Sequence, residues 1–138
     1  MELLKMKIKD KVEQKKILER TVTDIIRQMG IPSHLKGYQY LRCALILCIE
    51  NSEMVTSIGN LLYPAVAKQF NTTPSRVNTN IARAIETAWD MGDSYVLRSY
   101  FGNMLDKAWE KPSAAEFIST VADALRLRFK TENFSDRF

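Results

Sequence analysis

The sequence is poor in the residues that interrupt helices: five glycines and four prolines among 138 residues, the prolines at 32, 64, 74 and 112. Punctuation this sparse favours long helices joined by short turns. Histidine occurs once, at His34, in the turn after Pro32. With no cluster of Cys or carboxylates beside it, it fits a turn residue and not a catalytic or metal centre. The two cysteines, Cys43 and Cys48, lie five apart in an apolar segment. That spacing puts them on different faces of a helix, against a local disulfide or a zinc clip. Buried thiols in a reducing compartment are expected. No apolar run approaches the roughly 20 residues that cross a bilayer, and the start, Met1-Glu2-Leu3-Leu4-Lys5-Met6-Lys7, lacks the pattern of a secretory signal. A cytoplasmic protein without a membrane segment is the expectation. Gly-rich phosphate loops, Ser-His-Asp sets and metal-ligand spacings are missing too. No enzyme activity, cofactor or metal is expected.

What is present is an ordinary apolar fraction of 46%, enough for one hydrophobic core in one domain. Lys and Arg number 20 against 16 Asp and Glu, a net charge of +4. That balance permits nucleic-acid binding without demanding it. Seven basic residues fall in the first twenty positions, Lys5, Lys7, Lys9, Lys11, Lys15, Lys16 and Arg20, against four acids. Such a run suits a solvated helix face or tail, or an arm that contacts phosphates.

Hydrophobic periodicity gives an all-α reading. Apolar residues at 4, 8, 12, 18, 22, 25 and 29 predict a first helix to about Gln28, looser over residues 1–20, and stopped by Gly30 before Pro32. A second helix, about Tyr38 to Ile49, is apolar on its central turns and should be the buried spine. A helical region from Met54 to Phe70 contains Pro64, which either kinks it or opens a new helix. After Asn71-Thr72-Thr73, the pair Thr73-Pro74 reads as an N-cap and first helical residue. That helix should run to about Met91 and end at Gly92. A short helix from Ser94 to Phe101 and a last one from Ser113 to about Lys130 complete the chain. Residues 131–138 read as a flexible tail, and Trp89, Trp109, Tyr95, Tyr100 and Phe101 as core aromatics.

The stretch Leu61–Trp89 has the layout of a helix-turn-helix. Val66, Ala67 and Phe70 form the inward face of its first helix. On the second, Val77, Ile81, Ala84, Ile85, Ala88 and Trp89 share the core side at 100° per residue. Ser75, Arg76, Thr79, Asn80, Ala82, Arg83 and Glu86 fall elsewhere, with no acid before Glu86. Asn pairs with adenine, Arg pairs bidentately with guanine, and the free amides of the first turn hold a phosphate. Helix, turn and helix also occur in many proteins that never touch DNA. Lys36, Tyr38 and Arg42 suit either phosphate contacts or a plain surface.

Longer pieces of the sequence carry a family resemblance. They are Ile31-Pro-Ser-His-Leu-Lys-Gly-Tyr-Gln-Tyr-Leu-Arg42, Ser57-Ile58, and Leu62-Tyr-Pro-Ala-Val-Ala-Lys-Gln-Phe-Asn-Thr-Thr-Pro-Ser-Arg-Val77. Then come Ala84-Ile-Glu-Thr-Ala-Trp89, Phe101-Gly102, Lys111-Pro112, Glu116-Phe-Ile118 and Val121-Ala-Asp-Ala-Leu-Arg-Leu127. In this order, from about Thr21 to Lys130, the chain resembles the C-terminal effector domains of the stage-zero sporulation protein A family. Those are response regulators that start endospore formation in Firmicutes. The resemblance implies a six-helix domain, residues 21–130, with a central helix-turn-helix, to which residues 1–20 add a basic helical extension or linker remnant. It implies sequence-specific binding of double-stranded DNA boxes, often in tandem, with pairing of two copies on tandem sites and contact with the sigma subunit of RNA polymerase.

Site residues follow from the same comparison. Base readers are expected at Ser75, Arg76, Asn78, Thr79 and Arg83, with Arg76 as the chief one, and backbone contacts at Thr73, Lys68 and Lys36. The chain departs from the family where Asn78, Thr79 and Ala82 stand in place of charged or basic residues, and where Arg83 stands at a position often filled by His. The family's phospho-acceptor receiver domain is not among these residues, which fits either an excised effector domain or a stand-alone paralogue; in the second case release from phosphorylation control is expected. The alternative is a relative with weakened base reading that acts by contacts with an intact regulator or with sigma factor.

Overall fold

A computed structural model describes residues 1–105 and 111–132, which form helices and turns. In chain order they are α1 (Glu2–Gln28), α2 (Lys36–Glu50), the single turn α3 (Glu53–Thr56), a π-turn (Ile58–Leu62), α4 (Tyr63–Gln69), α5 (Pro74–Met91), α6 (Ser94–Leu105) and α7 (Ala114–Glu132). The all-α expectation is met. Residues 131 and 132 finish α7, while Trp109 and the rest of the expected tail lie outside the described residues.

The expected spine is α2, whose Leu41, Ala44, Leu45 and Cys48 are fully buried. It packs against α1, α5 and α7. The first helix is continuous across the expected boundary at 20–21, but its environment changes near there. Residues 1–17 are exposed, whereas Leu18, Val22, Ile25, Ile26 and Met29 enter the core. Helices α1 and α2 run antiparallel: Arg42 Nε donates to Thr23 Oγ1 at 2.7 Å, and Lys15 Nζ lies 4.0 Å from Glu50 Oε2 at the far end of α2. Because the two helices part after Glu50, the first half of α1 projects beyond the end of α2.

Gly30 ends α1 as expected, at φ +89°. The amide of Gly30 donates to the Arg27 carbonyl (3.0 Å) and that of Ile31 to the Ile26 carbonyl (3.2 Å), the pair of bonds that closes a left-handed helix end. Gly92 differs from expectation. Its backbone is extended (φ −82°, ψ −178°), so a left-handed cap is not what selects glycine there. Space is: a methyl group on Gly92 would collide with the Met29 and Ala88 carbonyl oxygens, and one on Gly30 would lie 2.6 Å from Gly92 Cα. The two glycines bring the ends of α1 and α5 into backbone contact.

The region from 54 to 70 is more broken than Pro64 alone predicts. Ser57 leaves helical geometry (φ −145°, ψ 68°), and the π-turn carries the chain into α4. Pro64 sits in the first turn of α4 and cannot donate to the carbonyl four residues back. Just before it, the Tyr63 amide donates instead to the Ile58 carbonyl, five residues back, which widens the turn. The last helix starts where the sequence places it. The Glu116 amide donates to Ser113 Oγ (3.1 Å) and the Ser113 amide to Glu116 Oε1 (3.4 Å), a reciprocal N-terminal cap.

In the core Trp89 meets Phe101 edge-on at a centroid distance of 5.3 Å, and Phe101 stacks on Phe117 at 5.2 Å. Tyr95 corrects the aromatic expectation, being 83% exposed. It precedes the buried Leu97 by two residues, about 200° around α6, so the turn that buries Leu97 and Phe101 points Tyr95 outward.

Candidate nucleic-acid interface

The helix-turn-helix is built from α4 and α5. Val66 and Ala67 face the core, and Phe70, half-buried, meets Tyr40 edge-on at a centroid distance of 5.1 Å. The chain leaves α4 through Asn71 at φ +51°, and the Thr72 amide donates to the Ala67 carbonyl (3.0 Å). Asparagine tolerates this left-handed conformation better than other non-glycine residues. Thr73 then turns extended and caps α5, its hydroxyl oxygen accepting from the Arg76 amide at 3.2 Å. Pro74 supplies the helical φ at the first position without wasting a donor.

The two faces of α5 divide as the periodicity predicts. Val77, Ile81, Ala84, Ile85, Ala88 and Trp89 are buried, while Ser75, Arg76, Asn78, Thr79, Ala82, Arg83 and Glu86 are exposed. All five expected base readers therefore share the outer surface of one capped helix. Thr73 begins it, and Lys68, also exposed, stands in the last turn of α4. Lys36 opens α2, whose next residue crosses α5 in direct contact. A methyl group on Gly37 would collide with the Asn80 carbonyl oxygen and lie 2.8 Å from Ala84 Cβ. Gly37 thus lets the two backbones meet, and Lys36, exposed, is the residue just before that contact.

The other phosphate candidates are otherwise engaged. Tyr38 is buried, and Arg42 bonds Thr23 and lies 3.9 Å from Glu19. Charge on α5 itself is uneven. Glu86 pairs with Lys111 at 3.3 Å. Arg76 and Arg83 have no carboxylate within ion-pair distance among the described residues. Two positions escaped the sequence reading. Gly37 was unmarked because tertiary contact, not a turn, demands glycine there. Asn80, expected on the solvent side, is half-buried and donates its amide to the Arg76 carbonyl at 2.8 Å. A side chain so engaged is no longer a free adenine reader, and the bond fixes the turn that carries Arg76.

The cysteines sit behind this surface. Cys48 is buried, and the half-buried Cys43 donates to Gln69 Oε1 at 3.2 Å. Burial pushes the Cys43 thiol up to about 11, against a partial lowering by Arg42, and the Cys48 thiol up to about 12. Both are protonated packing groups at neutral pH, not nucleophiles.

A sequence model of the C-terminal region of sporulation initiation factor Spo0A matches residues 22–125, from the buried half of α1 to the last core turns of α7. The chain belongs to that family. It is accordingly a DNA-binding domain of the sporulation-regulator type. The match includes the whole of α4, the turn and α5, and leaves the exposed half of α1 outside. Among the described residues no helix is long and apolar enough to cross a membrane.

Proposed function

We propose that this domain is a sequence-specific transcription regulator that inserts α5 into the major groove of double-stranded DNA. Ser75, Arg76, Asn78, Thr79 and Arg83 face base edges, and Thr73, Lys68 and Lys36 hold the backbone. The observation that carries this reading is the outer surface of α5: a capped, anchored helix with two guanidinium groups that have no ion-pair partner among the described residues, and no acid in its first three turns. Backbone contacts supply most of the affinity and base contacts the choice of sequence. Family membership supports two further elements, pairing of two copies on tandem boxes and contact with the sigma subunit. The compartment is that of the DNA, the cytoplasm.

Fluorescence anisotropy against tandem and scrambled boxes, over a series of salt concentrations, tests the reading. A preference for one sequence is expected, with a salt slope of about −0.9 per phosphate contacted. Arg76→Ala should cost about 5- to 150-fold on the preferred sequence, the range for one bidentate pair. Equal, weak binding to every duplex, indifferent to Arg76, would instead favour a relative acting through protein contacts. The neutral side chains Asn78, Thr79 and Ala82 are what recommend that second reading.

A further inference from the structure

A cleft of about 860 Å³ opens where α1 runs past the end of α2, with α7 as its third wall. Its apolar lining is Leu18, Ile49, Leu127 and Phe129. Of these only Leu18 is buried; Ile49 and Phe129 are half-buried, and Leu127 is 61% exposed. Three cations stand around this apolar lining: Lys11, Lys15 and Arg126. Lys15 lies 4.0 Å from Glu50, but neither Lys11 nor Arg126 has a carboxylate within ion-pair distance among the described residues. Asp123, three residues before Arg126 on the same wall, does not pair with it. Apolar side chains left open to water beside unpaired cations favour an occupant that is apolar and carries a carboxylate.

The chain supplies such a segment next to the cleft. Helix α7 ends at Glu132, three residues beyond Phe129 and about 4.5 Å further along its axis. The sequence continues Asn133-Phe134-Ser135-Asp136-Arg137-Phe138. Six extended residues reach about 20 Å, whereas α1 spans about 10.5 Å from Lys11 to Leu18. The segment is therefore long enough to cover the cleft in either direction. Alternate side chains of an extended chain share a face. Phe134, Asp136 and Phe138 make one such face, two aromatic rings flanking a carboxylate. Asn133, Ser135 and Arg137 make the other, polar throughout. A second copy is less well matched, because the first half of α1 carries six lysines against Glu2, Asp10 and Glu13, and two such helices repel.

We infer that residues 133–138 dock in this cleft as an extended strap. Phe134 and Phe138 cover Leu18, Ile49, Leu127 and Phe129, and Asp136 answers Lys11 and Arg126. The strap adds a second tie, besides Lys15 to Glu50, between the exposed half of α1 and the rest of the domain. It is independent of the DNA-binding reading, since Glu50 stands thirteen residues along α2 from Gly37, where α5 is crossed.

Nuclear magnetic resonance on the full chain tests the strap. Overhauser contacts are expected from the Phe134 and Phe138 rings to the methyl groups of Leu18, Ile49 and Leu127. Backbone order parameters across 133–138 should approach the rigid value of about 0.85, well above the flexible range below about 0.6. Asp136→Lys should abolish the contacts and drop the order parameters, and so should Phe134→Ser combined with Phe138→Ser. Adding Lys11→Glu and Arg126→Glu to Asp136→Lys should restore both readouts, because the charges are then exchanged. Unchanged shifts of the buried core residues verify that each variant is folded. Residues 133–138 moving as free chain in the wild type overturn the inference. So do contacts that persist undiminished in Asp136→Lys. Contacts seen only between differently labelled copies in a mixed sample also overturn it and give the cleft to a second chain.

Discussion

Two exposed helix segments of positive charge stand at opposite ends of this domain, and they share the sign of that charge but neither its amount nor its anchoring. The first half of α1 carries Lys5, Lys7, Lys9, Lys11, Lys15 and Lys16. It has no side-chain cap, and its Leu4, Ile8 and Val12 are 61%, 55% and 50% exposed. The first half of α5 carries one cation, Arg76, and the next turn adds Arg83. Yet α5 is capped by Thr73, buried along one face, and held by α2 through a glycine made for backbone contact. Lysines are more numerous on α1, but α5 is the segment whose side chains are held at known offsets. Recognition of bases needs position before it needs charge.

The sharpest way to break this contrast is to move the helix without touching its surface. Gly37→Ala puts a methyl group against the Asn80 carbonyl and Ala84, and overpacking of this kind costs about 1–3 kcal/mol. A fall in melting temperature of several degrees is expected, with a larger loss in DNA affinity because α5 must shift for the methyl to fit. Leu4→Ala or Ile8→Ala on the exposed half of α1 should leave the melting temperature nearly unchanged, as surface substitutions do. If Gly37→Ala melts and binds like wild type, the crossing of α2 over α5 does not position the interface.

That crossing also marks how far the sequence could be read. The two faces of α5, the N-cap at Thr73 and the start of the last helix near Ser113 were legible, because each rests on local periodicity or on a side chain bonding its own helix end. So was Gly30, where a positive φ shows up as a glycine before a proline. Gly37 and Gly92 were not legible in the same way. They are glycines because another backbone lies against them, and that neighbour is 43 positions away for Gly37, reading from Asn80, and 63 for Gly92, reading from Met29. Asn80 was misjudged for a related reason: at the edge of the polar face its environment is set by α2, which local spacing cannot see. Pro64 was legible as a kink or as the opening of a new helix, and it opens α4; the π-turn before it was not.

A smaller effect is expected at the cap. Thr73→Ala removes the acceptor for the Arg76 amide, and such losses cost about 1 kcal/mol. Thr73→Ser keeps the oxygen and should restore most of the stability, measured by denaturant midpoint at constant slope. Because the cap fixes the turn that bears Arg76, affinity should follow stability in Thr73→Ala and recover in Thr73→Ser. Recovery of stability without recovery of affinity would show that the threonine methyl, not the cap, matters to DNA.

The smallest effect should come from the most highly charged segment. Lys15 marks where α1 passes Glu50, and Glu50 is thirteen residues along α2 from Gly37, about 20 Å. At physiological salt the Debye length is about 8 Å, so lysines N-terminal to Lys15 are screened from phosphates gathered around α5. Changing Lys5, Lys7, Lys9 and Lys11 together to Gln should therefore leave the sequence preference and the salt slope of binding where they were. Lys36→Gln, a single charge placed beside α5, should reduce the magnitude of that slope by about one. A reduction of three or four in the quadruple variant would mean that α1 lies along the duplex as a phosphate-contacting arm. Number of charges would then outweigh their placement, and the contrast between the two segments would lose its meaning.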